Sequence, residues 1–183
     1  MPQRLPPVLS AHDLPVAELF AARLDGELFR IDDCFAPIDE IVQPEHRALA
    51  LRSGLPERLI AEQRSAAWIW GATDAPPVHH QLCVAPGARI SAPPVGWMRV
   101  REVVITASEL TTIGGMQVTN PLRTVIDLAR FSESFGEAEA RIVTVLARLA
   151  DLGLGECLDD MNGRRNLPNK RQAIERLRGC LGR

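Results

Sequence analysis

The chain has 183 residues, 46% apolar and 24% charged, so it is long enough to bury one sizeable core or a core plus a small appendage. No apolar run approaches the roughly 18 residues needed to cross a bilayer, and MPQRLPP lacks the apolar segment of a secretion signal, so the expected location is the cytoplasm. The net charge is only −2, yet residues 1–45 carry a net −6 and residues 161–183 a net +6, which points either to an acidic or polyanionic partner at the C-terminal end or to two solvated ends that face each other.

In chain order, Asp13 stands just ahead of Pro15, placed to cap a first helix whose Val16, Leu19, Phe20 and Leu24 form one apolar stripe and which Asp25-Gly26 ends. ELFRI and CFAPI then flank Asp32-Asp33, the pattern of a hairpin. A helix followed by a hairpin is the last half of a winged helix, and the dozen residues ahead of it are too few for the first half. Pro44 opens a helix over PEHRALALRSG that Gly54 ends. RLIA reads as a short buried strand, and SAAWIWG as a compact helix, capped by Ser65 and stopped by Gly71, that inserts Trp68 or Trp70 into the core.

From Thr73 to Gln117 the composition changes, with Pro76, Pro77, Pro86, Pro93 and Pro94 punctuating runs rich in Val and Ile. VHHQLCVA and MRVREVVI are the expected strands, and Gly114-Gly115 separates TTI from MQVT as a closing turn or hairpin. His79 and His80, adjacent on a strand, point to opposite faces and do not easily share a metal, so a structural or solvent-facing role is expected. Next comes the best-specified segment, TNPLRTVIDLAR from Thr119 to Arg130. Asn120 can accept an orphan N–H, Pro121 has none to lose at the first helical position, and Leu122, Val125, Ile126 and Ala129 line one face. EAEARIVTVLARLADLG places Ala138, Ile142, Val145, Leu146 and Leu149 on a face and ends at Gly153. A short helix over Glu156–Met161 follows. Pro168 then starts a basic final helix with Ala173, Ile174, Leu177 and Leu181 inward and Lys170, Arg171 and Arg178 outward.

The fold class is therefore α+β: a truncated winged-helix-like segment over 1–43, then a domain over 44–183 with a small mixed or antiparallel sheet, packed helices and a helical C-terminal tail.

Motifs that carry chemistry are missing. The only lysine, Lys170, follows Asn169, so there is no phosphate-binding G-x-x-x-x-G-K-[ST], and no G-x-G-x-x-G follows a strand. A metal-dependent nuclease core needs a strand lysine beside its carboxylates, and none precedes the final helix. There is no G-x-S-x-G elbow and no readable Cys–His pairing. Cys34, Cys83, Cys157 and Cys180 are widely spaced and suggest reduced, mostly buried thiols rather than a disulfide framework or a zinc site. No enzyme, cofactor or metal is expected. Arg123 and Asp127, four apart, would contribute only about 0.2–0.5 kcal/mol as an exposed pair. Tucked under the sheet they would pin the helix to strand carbonyls, and a structural role is the expectation.

The order of landmarks, DGELFRIDDCFAP, EHRALAL, SAAWIWG, the VRE strand, GGMQVTNPLRTVIDLAR and CLDDMNGRRNLPNKRQAIERLR, resembles the AbiEi-like antitoxins of bacterial type IV toxin–antitoxin systems. SAAWIWG resembles the family's small-residue helix, and Pro121–Ala129 its P-x-R-T-h-h-D-L-A signature, with h for apolar. The resemblance implies an antitoxin and transcriptional autoregulator. In such proteins an N-terminal winged helix binds the operon's own promoter, and a C-terminal domain supports DNA binding and neutralises a nucleotidyltransferase-like toxin. A segment of net −6 is poorly suited to phosphate, so binding of double-stranded DNA, or of an acidic toxin surface, is expected at Arg164, Arg165, Lys170, Arg171 and Arg178. The alternatives are an interaction module that has lost DNA recognition and a hydrolase related to endonuclease-bearing relatives.

Overall fold

A computed structural model describes residues 6–56, 58–88 and 96–182; Arg4, Pro93, Pro94 and Arg183, counted above, lie outside them. The chain opens with helix α1 (Val16–Leu24) and an antiparallel hairpin of β1 (Leu28–Ile31) and β2 (Cys34–Pro37). Ile31 pairs with Cys34, which leaves Asp32-Asp33 as the two-residue turn the sequence indicates. Asp32 takes the left-handed region at φ 54°, which a short polar side chain tolerates. A single bridge from Leu9 to Phe35 adds an outer rung.

Two expectations for α1 need correction. Asp13 turns back to accept from the Ser10 backbone N–H and hydroxyl, so Pro15 is the N-cap and no side chain caps the helix. Of the predicted stripe only Leu19 is buried, in a small core with Leu9, Leu28 and Phe35, whereas Val16, Phe20 and Leu24 are 52%, 41% and 86% exposed. The hairpin and Leu9 cover one side of the helix, and Phe20 meets Phe35 edge-on with ring centres 5.3 Å apart, while most of Val16 and Leu24 stays uncovered.

After α2 (Pro44–Arg52), a five-stranded mixed sheet assembles from β3 (Ile60–Ala61), β4 (His80–Val84), β5 (Met98–Glu102), β6 (Leu110–Ile113) and β7 (Met116–Thr119), in the order β5-β4-β3-β7-β6. The two-residue β3 lies at the centre, antiparallel to β4 and parallel to β7. β5 runs parallel to β4, and β6 and β7 form the expected hairpin. Gly114 and Gly115 both have positive φ, the geometry of a tight turn whose twist matches its strands. A side chain at Gly114 would also come within 2.8 Å of the Glu45 carbonyl oxygen. β5 stops at Glu102, shorter than the MRVREVVI run, and Val104 is exposed.

Helix α3 (Gln63–Ile69) starts two residues before Ser65, so Ser65 is not its cap. Trp68 is the tryptophan driven into the core; Trp70 lies at the edge, where its indole N–H donates to the Thr119 carbonyl at 2.9 Å. Ile31, Cys34, Leu51, Trp68, Ile69, Leu82 and Val118 share one core. A second core is helical, formed by α4 (Pro121–Phe131), α5 (Glu137–Leu149), α6 (Leu154–Gly163) and α7 (Lys170–Leu181), with Ala67 of α3 reaching into it. α5 is rotated from its expected face: Ile142, Val143, Leu146 and Ala147 are buried, and Leu149 is 60% exposed. Gly153 caps α6 rather than simply ending α5, its N–H donating to the Glu156 carboxylate at 2.8 Å. α7 begins at Lys170, not Pro168, and buries Ala173 and Leu177, with Ile174 and Leu181 half-buried.

Candidate functional site

The Asn120 side chain accepts the Arg123 N–H at 2.8 Å, and Pro121 occupies the first helical position of α4, as the sequence indicates. The burial of this helix differs from the expectation of one apolar face, because every residue from Arg123 to Arg130 is buried. α4 is flanked by α3 and by α5, α6 and α7, so its polar flank also loses water and must find partners inside the protein.

Asp127, 1% exposed, accepts from Arg123 Nε at 2.8 Å, Arg130 Nη1 at 2.9 Å and Arg101 Nη2 at 3.3 Å. Arg101 reaches over from β5 and also grips Glu62 with Nε at 2.5 Å and Nη2 at 2.7 Å, a bidentate fork. Its guanidinium and that of Arg130 both stack on Phe131, 4.2 and 4.4 Å from the ring centre. On the other side Arg123 Nη1 donates to Glu109 at 2.5 Å, and Glu109 accepts from Arg164 Nη1 at 2.6 Å. Arg164 in turn forks onto Asp160 with two bonds of 2.8 Å. Four carboxylates and four guanidiniums thus form a neutral chain that ties the sheet to α4 and α6.

The chain sets the charge states of its members. Burial works against the ionised Glu109 carboxylate, but the Thr106 N–H and the Arg164 and Arg123 guanidiniums outweigh it and hold its pKa down at about 2. The hydrogen bonds to Asp160, then those to Glu109, keep Arg164 firmly protonated against burial. Burial outweighs the pull of Arg101 and leaves the Glu62 carboxyl above its ordinary value, although the bidentate fork opposes the rise. Arg123 and Asp127 therefore pin α4 through other side chains, not through strand carbonyls. Carbonyl capture falls instead to Arg176, which donates to Ala129 and Ser132 at 2.9 and 3.1 Å, and to Arg130, which donates to Pro168 at 2.9 Å.

The five basic residues expected to bind nucleic acid or a partner separate into two groups. Arg164 is committed to Glu109 and Asp160 and belongs to the internal chain. Arg165, Arg171 and Arg178 are exposed and Lys170 is half-buried, around the start and outer face of α7. Arg171 has one loose exposed contact, to Glu175 at 3.7 Å. Glu62, Arg101, Glu109, Arg130 and Asp160 escaped the sequence reading. Arg130, three residues from Asp127, and Asp160, four residues from Arg164, left a readable signal in their helical spacing.

One further constellation is a relay: Ser65 Oγ lies 3.1 Å from His80 Nδ1, and His80 Nε2 lies 3.1 Å from Asp32 Oδ2. Trp68 and Trp97 flank the imidazole. Ser65 is 0% exposed and its oxygen accepts the Gln81 N–H, so no substrate can reach it. The relay instead bolts the hairpin turn to β4 and gives His80 the structural role expected for it, while His79 is exposed. Cys34, Cys83 and Cys157 are buried and Cys180 half-buried; burial pushes all four thiols up, Cys157 to about 11. Among the described residues no three His, Cys, Asp or Glu side chains group as a metal site, and no helix is long and apolar enough to cross a membrane.

The family model for the AbiEi antitoxin C-terminal domain matches residues 59–181, which contain β3 through α7 and the whole charge chain. The chain belongs to this family. Helix α4 lies inside the matched span, and its Arg123 and Asp127 are the two centres of the charge chain. Residues 1–58, with α1, the hairpin and α2, lie outside the matched span. Among solved structures, the RV2827C protein from Mycobacterium tuberculosis is similar, with 19% identity over 97% of this chain and 76% of that one and a TM-score of 0.48. None of the curated proteins compared matches.

Proposed function

We propose that this protein is an antitoxin that neutralises a nucleotidyltransferase-like toxin and binds its own promoter through the outer face of α7. The supporting observation is the placement of exposed Arg165, Arg171 and Arg178 with half-buried Lys170 at the start and outer face of α7 in an AbiEi-type domain, where Arg164 and Arg176 are used internally. The helix and hairpin of residues 16–37 carry Glu18, Asp25, Glu27, Asp32 and Asp33 against Arg23 and Arg30, a net negative charge that disfavours phosphate, so α7 carries the DNA contact in this reading.

Gel shifts on the gene's upstream DNA over a salt series test this. Four phosphate contacts give a slope of about −3 to −4 in log K against log salt, and Arg171→Ala reduces it by about one. Absence of a shift at low salt removes DNA binding from the proposal. For the toxin, growth of cells co-expressing the neighbouring reading frame is the readout, and toxicity unrelieved by this protein removes neutralisation. A second reading, an interaction module without DNA recognition, is favoured by the exposed apolar residues of α1 among its acids. No enzymatic activity is proposed, and nicking of plasmid by the pure protein with magnesium would overturn that.

A further inference from the structure

The outward side of α1 is apolar along its whole length. Val16, Ala17, Phe20, Ala21 and Leu24 recur at the spacing of one helix face, and all five are exposed. Ile38, 61% exposed, follows the hairpin at the end where Leu24 sits, its N–H donating to the Glu27 carbonyl at 2.9 Å. Together these side chains form one exposed apolar patch rimmed by polar residues, the kind of surface that often serves interaction on soluble proteins. Ala17 and Ala21, one turn apart and exposed, are small beside Val16, Phe20 and Leu24, a spacing against which the ridge of another helix can pack. The rim is acidic, with Glu18, Asp25 and Glu27 exposed and Arg23 the single base on the helix.

The complementary surface is on the same molecule. The outer face of α7 carries exposed Arg171 and Arg178, and beside them Ile174 and Leu181, packed on one side against the helical core and half-buried, leave an apolar edge on the other. Within one copy α1 packs in the hairpin core and α7 in the helical core, so the acidic and basic helices do not share a core. We propose that α1 of one copy docks on α7 of the next, head to tail, with Val16, Phe20 and Leu24 against Ile174 and Leu181, and Glu18, Asp25 and Glu27 facing Arg171 and Arg178. Two short helix faces bury less than the ~800 Å2 per partner of a standard interface, so the association is weak and salt-sensitive. It uses two of the arginines assigned above to phosphate, but it stands without that assignment because it requires neither DNA nor toxin.

The test is sedimentation of the protein alone over a concentration series reaching the submillimolar range, at low and high salt. A head variant, Val16→Glu with Leu24→Glu, and a tail variant, Arg171→Glu with Arg178→Glu, alter only exposed side chains, and circular dichroism verifies that both stay folded. The wild type should self-associate less at high salt, each variant alone should bind itself at least about tenfold more weakly, and an equimolar mixture should form one-to-one dimers. Continued self-association of the tail variant, which means α1 pairs with α1, overturns the proposal. So does a wild type that remains monomeric throughout, which means that another partner covers α1.

Discussion

Replacing Asp127 by Asn keeps the shape of the side chain and removes its charge, where three guanidiniums converge on a carboxylate that is 1% exposed. Oδ1 serves Arg130 while Oδ2 serves Arg123 and Arg101, so an amide, whichever way it turns, keeps one acceptor and points an N–H2 at a guanidinium. The chain of four carboxylates and four arginines becomes one positive charge in excess inside the protein. Removing one partner of a buried pair costs about 3–5 kcal/mol, because the other charge stays buried and uncompensated. For a domain of this size each kcal/mol moves the melting temperature by about 2–4 °C, so a drop of roughly 6–20 °C is expected. Differential scanning calorimetry or thermal circular dichroism measures it, with the exposed Arg171→Ala as a control expected within about 0.5 kcal/mol of wild type. Partner selectivity of the folded variant should be unchanged. A shift under about 2 °C, less than 1 kcal/mol by the same conversion, or unchanged stability with lost partner binding, would refute the structural role of Asp127.

Acid should act through Glu109. Its pKa is about 2 in the folded protein against an ordinary value of 4.5, so its contribution is complete above pH 4.5 and drains away as pH falls toward 2. Glu109→Gln should therefore flatten the loss of melting temperature over that window, and parallel pH profiles for variant and wild type would count against it. Gly114→Ala forces a side chain into a left-handed turn and toward the Glu45 carbonyl; a loss of about 1–3 kcal/mol in urea unfolding is expected, and a neutral result contradicts the turn geometry. With a thiol-specific disulfide reagent on the native protein, Cys180 should react first and Cys34, Cys83 and Cys157 only on unfolding. Rapid release of all four thiols would show that the cores open readily.

How much of this was legible in the sequence depended on the range of the interaction. Asn120-Pro121, Gly114-Gly115 and Asp32-Asp33 act within a few residues, through φ preferences and orphan N–H groups, and each placed its helix start or turn correctly. The same local logic misplaced Asp13 and Ser65, because a capping oxygen takes the nearest donor that the fold supplies: the Ser10 N–H for Asp13, and the Gln81 N–H for Ser65, whose hydroxyl also faces His80. Periodicity identified the helices but not which side of α1 or α5 would be covered, since that depends on what packs against them.

Arg123 and Asp127 illustrate the division most clearly. Their spacing of four is visible as a pair, and their place in TNPLRTVIDLAR, the best-specified segment of the sequence, singles out α4. That the pair sits in a chain with Glu62, Arg101, Glu109, Arg130, Asp160 and Arg164 required contacts between residues as far apart as Glu109 and Arg164, 55 positions along the sequence, which only the tertiary structure decides. The sequence by itself determined the elements, the turn chemistry and the family. The fold determined which charges face inward as structural partners, Arg164 among them, and which remain on the surface to meet a partner, because the energy of a charge is set by its burial and neighbours and not by its place in the chain.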